Sequence, residues 1–187
     1  MNKLATTQVP LHPLLANRWS PRGFDRAHAV APEQLAALIE AARWAPSANN
    51  TQPWRFLVAN RDETAFDELL ALLNPGNQQW AGAASALILV AADTVGPFAL
   101  YDTGQAVASL VAQAGHEGLS AHQMGGFDKT AAAERFALAA DLQPIVVIAI
   151  GRHDAEAPLP ETLAERERAP RARRPVDDLL LHQPAAA

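Results

Sequence analysis

Apolar residues recur along this chain at two spacings, one helical and one extended. From Pro32 to Ala45 they fall at Leu35, Leu38, Ile39 and Ala42, which predicts a helix with one buried face. Pro32 suits the first turn, where its missing N–H costs nothing, and Pro46 ends the run. Trp54 to Ala59 reads as a strand. Asp62 to Leu73 reads as a second helix, with Asp62 and Glu63 near its positive end and Pro75-Gly76 breaking it. Leu87 to Ala91 is a buried strand. Phe98 to Gly118 is a long Ala-rich helix with apolar face Ala106, Leu110, Val111 and Ala114, closed by Gly118 as C-cap. Gln123 to Asp128 reads as a loop, Lys129 to Ala140 as a short helix and Ile145 to Ile150 as a last strand. From His153 onward proline, arginine and acidic residues replace the periodic pattern, which predicts a disordered tail or an arm laid over a partner. The element order indicates a single layered α+β or α/β domain over residues 1–187, with a C-terminal arm from about 153.

Composition narrows the chemistry. Apolar residues make up 49% of the 187, enough for a real core. A net charge of −5 gives no reason to expect nucleic acid, so an anionic ligand needs local arginine clusters. Without cysteine there are no disulfides, thiolate chemistry or Cys-ligated metals. Met1 to Val9 lacks the apolar core of a signal peptide, and the longest apolar run, Ala86 to Ala92, is too short to cross a bilayer; a cytoplasmic protein is expected. His12, His28, His116, His122, His153 and His182 show no metal-ligand spacing beyond a loose His116/His122 pair, so no metal site is expected. Ser47 is not in a Gly-x-Ser-x-Gly elbow, and no Gly-rich turn follows the first strand as a Rossmann site requires.

Two arginine clusters and three polar loops remain. In extended chain Arg18, Ser20 and Arg22 project to one side, where two guanidiniums and a hydroxyl match a phosphate monoester; a solvated basic segment is the plainer alternative. Arg171, Arg173 and Arg174 precede Pro175, either on a stiff arm or on an exposed basic tail, and meet the first cluster only if the tail folds back. Between Pro46 and Trp54, the compact Pro46, Ser47 and Ala48 would let a planar ring approach the backbone. Asn50 and Gln52 offer donors and acceptors that suit a flavin's pyrimidine edge, or that satisfy their own turn. Asn77 is another candidate amide or a turn residue, and Gly125-Gly126 allows close backbone approach or a hinge.

Taken together and in order, these segments resemble the FMN-dependent nitroreductase family, over about His12 to Leu180. The resemblance rests on Arg18-x-Ser20-x-Arg22, Ala45-Pro46-Ser47-x-x-Asn50-x-Gln52-Pro53-Trp54, Asn77, Asp102-Thr103-Gly104, Gly125-Gly126-Phe127-Asp128, the strand from Pro144 to Gly151, and Arg171-x-Arg173. It implies a three-layer α/β/α sandwich with a central, mostly antiparallel sheet, in a homodimer that exchanges arms and binds two FMN at its interface. Arg18, Ser20 and the Trp19 backbone would meet the phosphate and ribityl chain, with Arg171 and Arg173 closing from the tail. Arg22 would lie near N1 and O2 and stabilise reduced flavin. Pro46, Ser47, Ala48 and Asn50 would come from the other subunit, with Gln52 in the same loop. Asn77 would pair with the pyrimidine edge, and Gly126, with Gly125 beside it, would offer an N–H to N5. The implied reaction is ping-pong: NADH or NADPH gives a hydride to N5, and a nitroaromatic, quinone or related acceptor then takes it. No protein nucleophile is needed. Two departures stand out: Trp80 where some members place a lysine, and Gly125 where some place an acid. Dehalogenation, another flavin-dependent dehydrogenation and non-catalytic FMN storage fit the same scaffold.

Overall fold

In the computed structural model, which describes residues 3–181, the centre is a four-stranded antiparallel sheet. Its strands are β1 (Trp54–Asn60), β2 (Ala86–Asp93), β3 (Ser120–Met124) and β4 (Leu142–Gly151), in the order β1-β2-β4-β3. Trp54 pairs with Ala92, Ala86 with Ile150 and Ser120 with Gly151. The β2–β4 register shifts between Val90 and Ala91, where Ala91 faces Pro144, a residue with no N–H for the ladder.

The two central strands are apolar without alternation because helices cover both faces. Ile88, Val90, Ile148 and Ile150 pack with Leu38 and Leu110 under α2 (Pro32–Arg43) and α5 (Ala99–His116). Leu87, Leu89, Val147 and Ala149 face the other way. They pack with Phe66, Leu69, Trp80, Ala132 and Leu163 from α3 (Thr64–Leu72), α4 (Pro75–Ala81), α6 (Lys129–Arg135) and α7 (Glu161–Arg168). The result is the expected three-layer α+β sandwich.

Helix α5 ends as expected: Gly118 is left-handed at φ 72°, and Leu119 N–H returns to Ala114 O at 2.8 Å. Four elements differ from expectation. A short α1 (Pro13–Asn17) precedes the first arginine cluster, with His12 capping it. Helix α3 does stop before Pro75-Gly76, but Pro75 also opens α4, which Asn74 caps by accepting Asn77 N–H at 3.0 Å. Strand β3 takes in Gln123 and Met124, where the sequence predicts a loop, and α7 lies in the segment beyond His153. No helix among the described residues is long and apolar enough to cross a membrane. His182 lies outside the described residues.

Candidate functional site

Arg18 leaves the end of α1 in extended conformation, which aims its Nη1 at Ser20 Oγ, 3.4 Å away. The C-terminal arm folds back onto this point. Arg171 Nη1 donates to Lys3 O at 2.7 Å and Ala16 O at 2.8 Å, tying the arm to the N-terminal segment and α1. Burial holds the Arg18 pKa below its ordinary value, and the charges of Arg171 and Arg173 lower it further. The arm thus brings Arg171 and Arg173 close enough to Arg18 for their charges to act on it. Among the described residues, none of them forms an ion pair with a carboxylate. Arg173 is exposed, with Nη1 bonded locally to Ala172 O at 2.7 Å. Like charges gathered without a counterion are costly, and an anion relieves that cost. A cleft of about 280 Å³ beside Arg18 is lined by Trp19, Gly118 and Ser120 among others.

Arg22 is placed differently from Arg18. Its guanidinium lies 3.7 Å from Glu167 Oε2, and Glu167 Oε1 accepts the backbone N–H groups of Arg22 and Gly23 at 2.9 and 3.1 Å. Glu167 comes from α7, a helix whose only buried residue is Leu163; no local pattern announced it. Next to this pair, His122 donates from Nδ1 to Pro21 O at 2.9 Å, and its ring packs 4.4 Å from that of Trp80. Burial pushes the His122 pKa down, so the ring is neutral near pH 7 and its Nδ1–H tautomer is fixed by the Pro21 carbonyl. Trp80 is 3% exposed and stacks on Phe24 at 6.1 Å. Arg22, Arg26, Gln79 and Trp80 border a cleft of about 270 Å³.

Gly126 is locked to the start of α4. Its carbonyl accepts Asn74 N–H at 3.0 Å and Asn77 Nδ2–H at 3.3 Å, so Asn77 spends one amide hydrogen on the protein. A Cβ on Gly126 would sit 2.2 Å from Asn74 Nδ2, so any other residue there must displace the Asn74 side chain. Gly125 is exposed, and a Cβ there would meet nothing within 4 Å.

The loop at Pro46 is held in a strained form. Asn49, Asn50 and Gln52 have φ of 52°, 56° and 50°, left-handed values that disfavour most side chains. Ser47 Oγ accepts Gln52 N–H at 3.1 Å, and Gln52 Nε2 donates to Asn50 O at 3.0 Å, so the Gln52 amide partly serves its own turn. Ala48 N–H donates at 2.9 Å to Oδ2 of Asp102, a carboxylate only 3% exposed on the first turn of α5. Gly115, near the other end of α5, borders the Arg18 cleft. At 1.5 Å per helical residue, the loop and the arginines of one chain stand roughly 20 Å apart. One chain therefore brings Arg18, Ser20, Arg171 and Arg173 together and leaves Pro46, Ser47, Ala48, Asn50 and Gln52 at the far end of α5. No cluster of three His, Cys, Asp or Glu suited to a metal occurs among the described residues.

The profile of the nitroreductase family matches residues 15–152. The chain belongs to the nitroreductase family. Among solved structures, this nitroreductase-family chain superposes on one described as an oxidoreductase containing FMN, with TM-score 0.90, 35% identity and coverage of 97% of this chain and 96% of that one. It superposes on a Desulfovibrio desulfuricans protein in complex with FMN with TM-score 0.74 and 28% identity, over 95% of this chain and 100% of that one. It is 40% identical over 133 residues to an uncharacterized 15.4 kDa protein of Mycolicibacterium smegmatis, covering 64% of this chain and 88% of that protein. To the major NAD(P)H-flavin oxidoreductase of Aliivibrio fischeri it is 35% identical over 85 residues, which is 43% of this chain and only 39% of that relative's length.

Proposed function

We propose that this chain is an FMN-dependent NAD(P)H oxidoreductase that works as a homodimer on nitroaromatic, quinone or related acceptors. The observation that carries the reading is the grouping of Arg18, Arg171 and Arg173 near the Ser20 hydroxyl, with no carboxylate paired to them among the described residues. A phosphate monoester supplies the missing charge and accepts from all four groups. Family membership and the FMN named for two structural neighbours support the same ligand.

In this reading Arg18, Ser20, Arg171 and Arg173, with the Trp19 N–H, hold the phosphate end. Gly126 and Asn77, fixed to one another, present backbone and amide groups to the ring. Gly125, exposed and with open space where a side chain would stand, keeps the approach open. Pro46, Ser47, Ala48, Asn50 and Gln52 are roughly 20 Å from their own chain's arginines and serve the site of a second copy. Bound FMN would supply N5 as hydride acceptor from NADH or NADPH and hydride donor to the acceptor in alternate half-reactions. Arg22 offers a cation to the negative charge that gathers near N1 and O2 on reduction.

The test is an anaerobic visible spectrum of gently purified protein before and after NADPH, then NADH. A flavin double band that bleaches is the expected result. A protein that retains no flavin band after incubation with FMN and desalting would contradict the reading at its base.

A further inference from the structure

We propose that Glu167 is a positioning residue that fixes the Arg18–Arg22 segment and neutralises Arg22, so that bound FMN has a lower reduction potential than an unopposed arginine would set. This rests on the FMN reading above. Its ground is the contrast between the two arginines of Arg18-x-Ser20-x-Arg22. Arg18 sits near other arginines and pairs with no acid among the described residues, while Arg22 lies 3.7 Å from the nearly buried carboxylate of Glu167.

Glu167 reaches the segment by three contacts. Oε1 accepts the N–H groups of Arg22 and Gly23, at 2.9 and 3.1 Å, which fixes the backbone that carries the arginine. Oε2 lies 3.7 Å from Arg22 Nη1, too far for a hydrogen bond, and is buried with no hydrogen-bond partner among the described residues. The Glu167 side chain is 13% exposed, so solvent screens its attraction for Arg22 weakly. The other cations nearby do not displace Arg22 from this role. Lys3 Nζ donates to the Glu167 backbone carbonyl at 2.7 Å, and His153 Nε2 stands 4.0 Å from Oε1 with its pKa pushed down by burial, so its ring is neutral near pH 7. The Glu167 carboxylate thus has the Arg22 guanidinium 3.7 Å away, while the Lys3 ammonium, bonded to the backbone carbonyl, shares its field. Reduction of a flavin adds negative charge, and the cation beside it stabilises the reduced form only as far as its charge is uncompensated. Glu167 also lies outside residues 15–152, the part that matches the family profile.

The test uses full-length protein loaded with FMN: wild type, Glu167→Gln, Glu167→Asp, Arg22→Gln and the double variant Glu167→Gln/Arg22→Gln. Each has its midpoint potential titrated anaerobically against reference dyes, and its dissociation constant for oxidised FMN measured. Glutamine keeps an oxygen for the two backbone N–H groups and removes the charge. The expected potentials run wild type, Glu167→Asp, Glu167→Gln in the positive direction, with reduced FMN gaining several-fold in relative affinity in Glu167→Gln. In the Arg22→Gln background the same change should produce no shift. Equal potentials in wild type and Glu167→Gln overturn the proposal, as does a shift that survives without Arg22. A purely structural Glu167 would weaken oxidised and reduced FMN alike and leave the potential unmoved, which also overturns it. Should Glu167→Gln fail to fold, Glu167→Asp decides on the same criterion. A wild-type protein that takes up no FMN overturns the cofactor reading itself; flavin-loaded proteins of equal potential overturn only the role of Glu167.

Discussion

Arg18 is costly to the free protein, half-buried and beside two further positive charges. Removing one of the three should therefore be felt in binding. Arg18→Ala and Arg173→Ala are each expected to weaken FMN binding by about 1.5–3 kcal/mol, the scale of a charged hydrogen bond, as read by calorimetric titration. His122 makes a pH prediction. Its folded pKa lies below the ordinary 6.5, so the unfolded chain binds more protons in that window. Stability should hold above about pH 6.5 and decline as pH falls through the folded value. Urea midpoints across that range should show the decline, and His122→Gln should flatten it. The arginine, amide and glycine candidates could be singled out in sequence because short motifs carry them, and their roles toward FMN are those proposed above. Glu167 could not, since 145 positions separate it from the backbone it holds and only the folded arm joins them.

At the scale of elements, the two glycines that matter differ in kind. Gly118 has open space around it but φ of 72°, so Gly118→Ala should cost about 1 kcal/mol through backbone conformation alone, with Gly118→Asn costing less; chemical denaturation distinguishes the two. At Gly126 the clash is with the Asn74 amide that caps α4. Gly126→Ala should displace that cap, cost about 1 kcal/mol and match the effect of Asn74→Ala. The long, strongly periodic α2 and α5 and the apolar β2 and β4 were readable because burial imposes the pattern. Asn74-Pro75-Gly76 misled because the residues that stop one helix also start the next. Strand β3 lies at a sheet edge with only Ala121 and Met124 buried, and α7 buries only Leu163, too few positions to show a period.

For the whole molecule, the sandwich was legible and the resemblance already implied an arm returning to the first arginine cluster, while the bonds that seat it on α1 were not, because Arg171 donates to backbone carbonyls that any sequence presents. The separation of loop from arginines makes the dimer a requirement of the proposed site. Leu100 and Tyr101, 59% and 70% exposed on the first turn of α5 beside the loop, are apolar surface that a second copy would cover. Leu100→Glu with Tyr101→Glu should yield monomers that lose FMN together with the dimer in sedimentation; an FMN-loaded monomer would contradict this. The hydrogen bond from Ala48 to Asp102 has a consequence for that assembly. It clamps the loop to one end of α5 while the arginine basin adjoins the other, so in the proposed dimer the helix would work as a gauge bar between the two FMN sites. Their spacing is then written in the residue count of α5 rather than in the packing of the interface. Adding one turn would move them apart by about 5.4 Å.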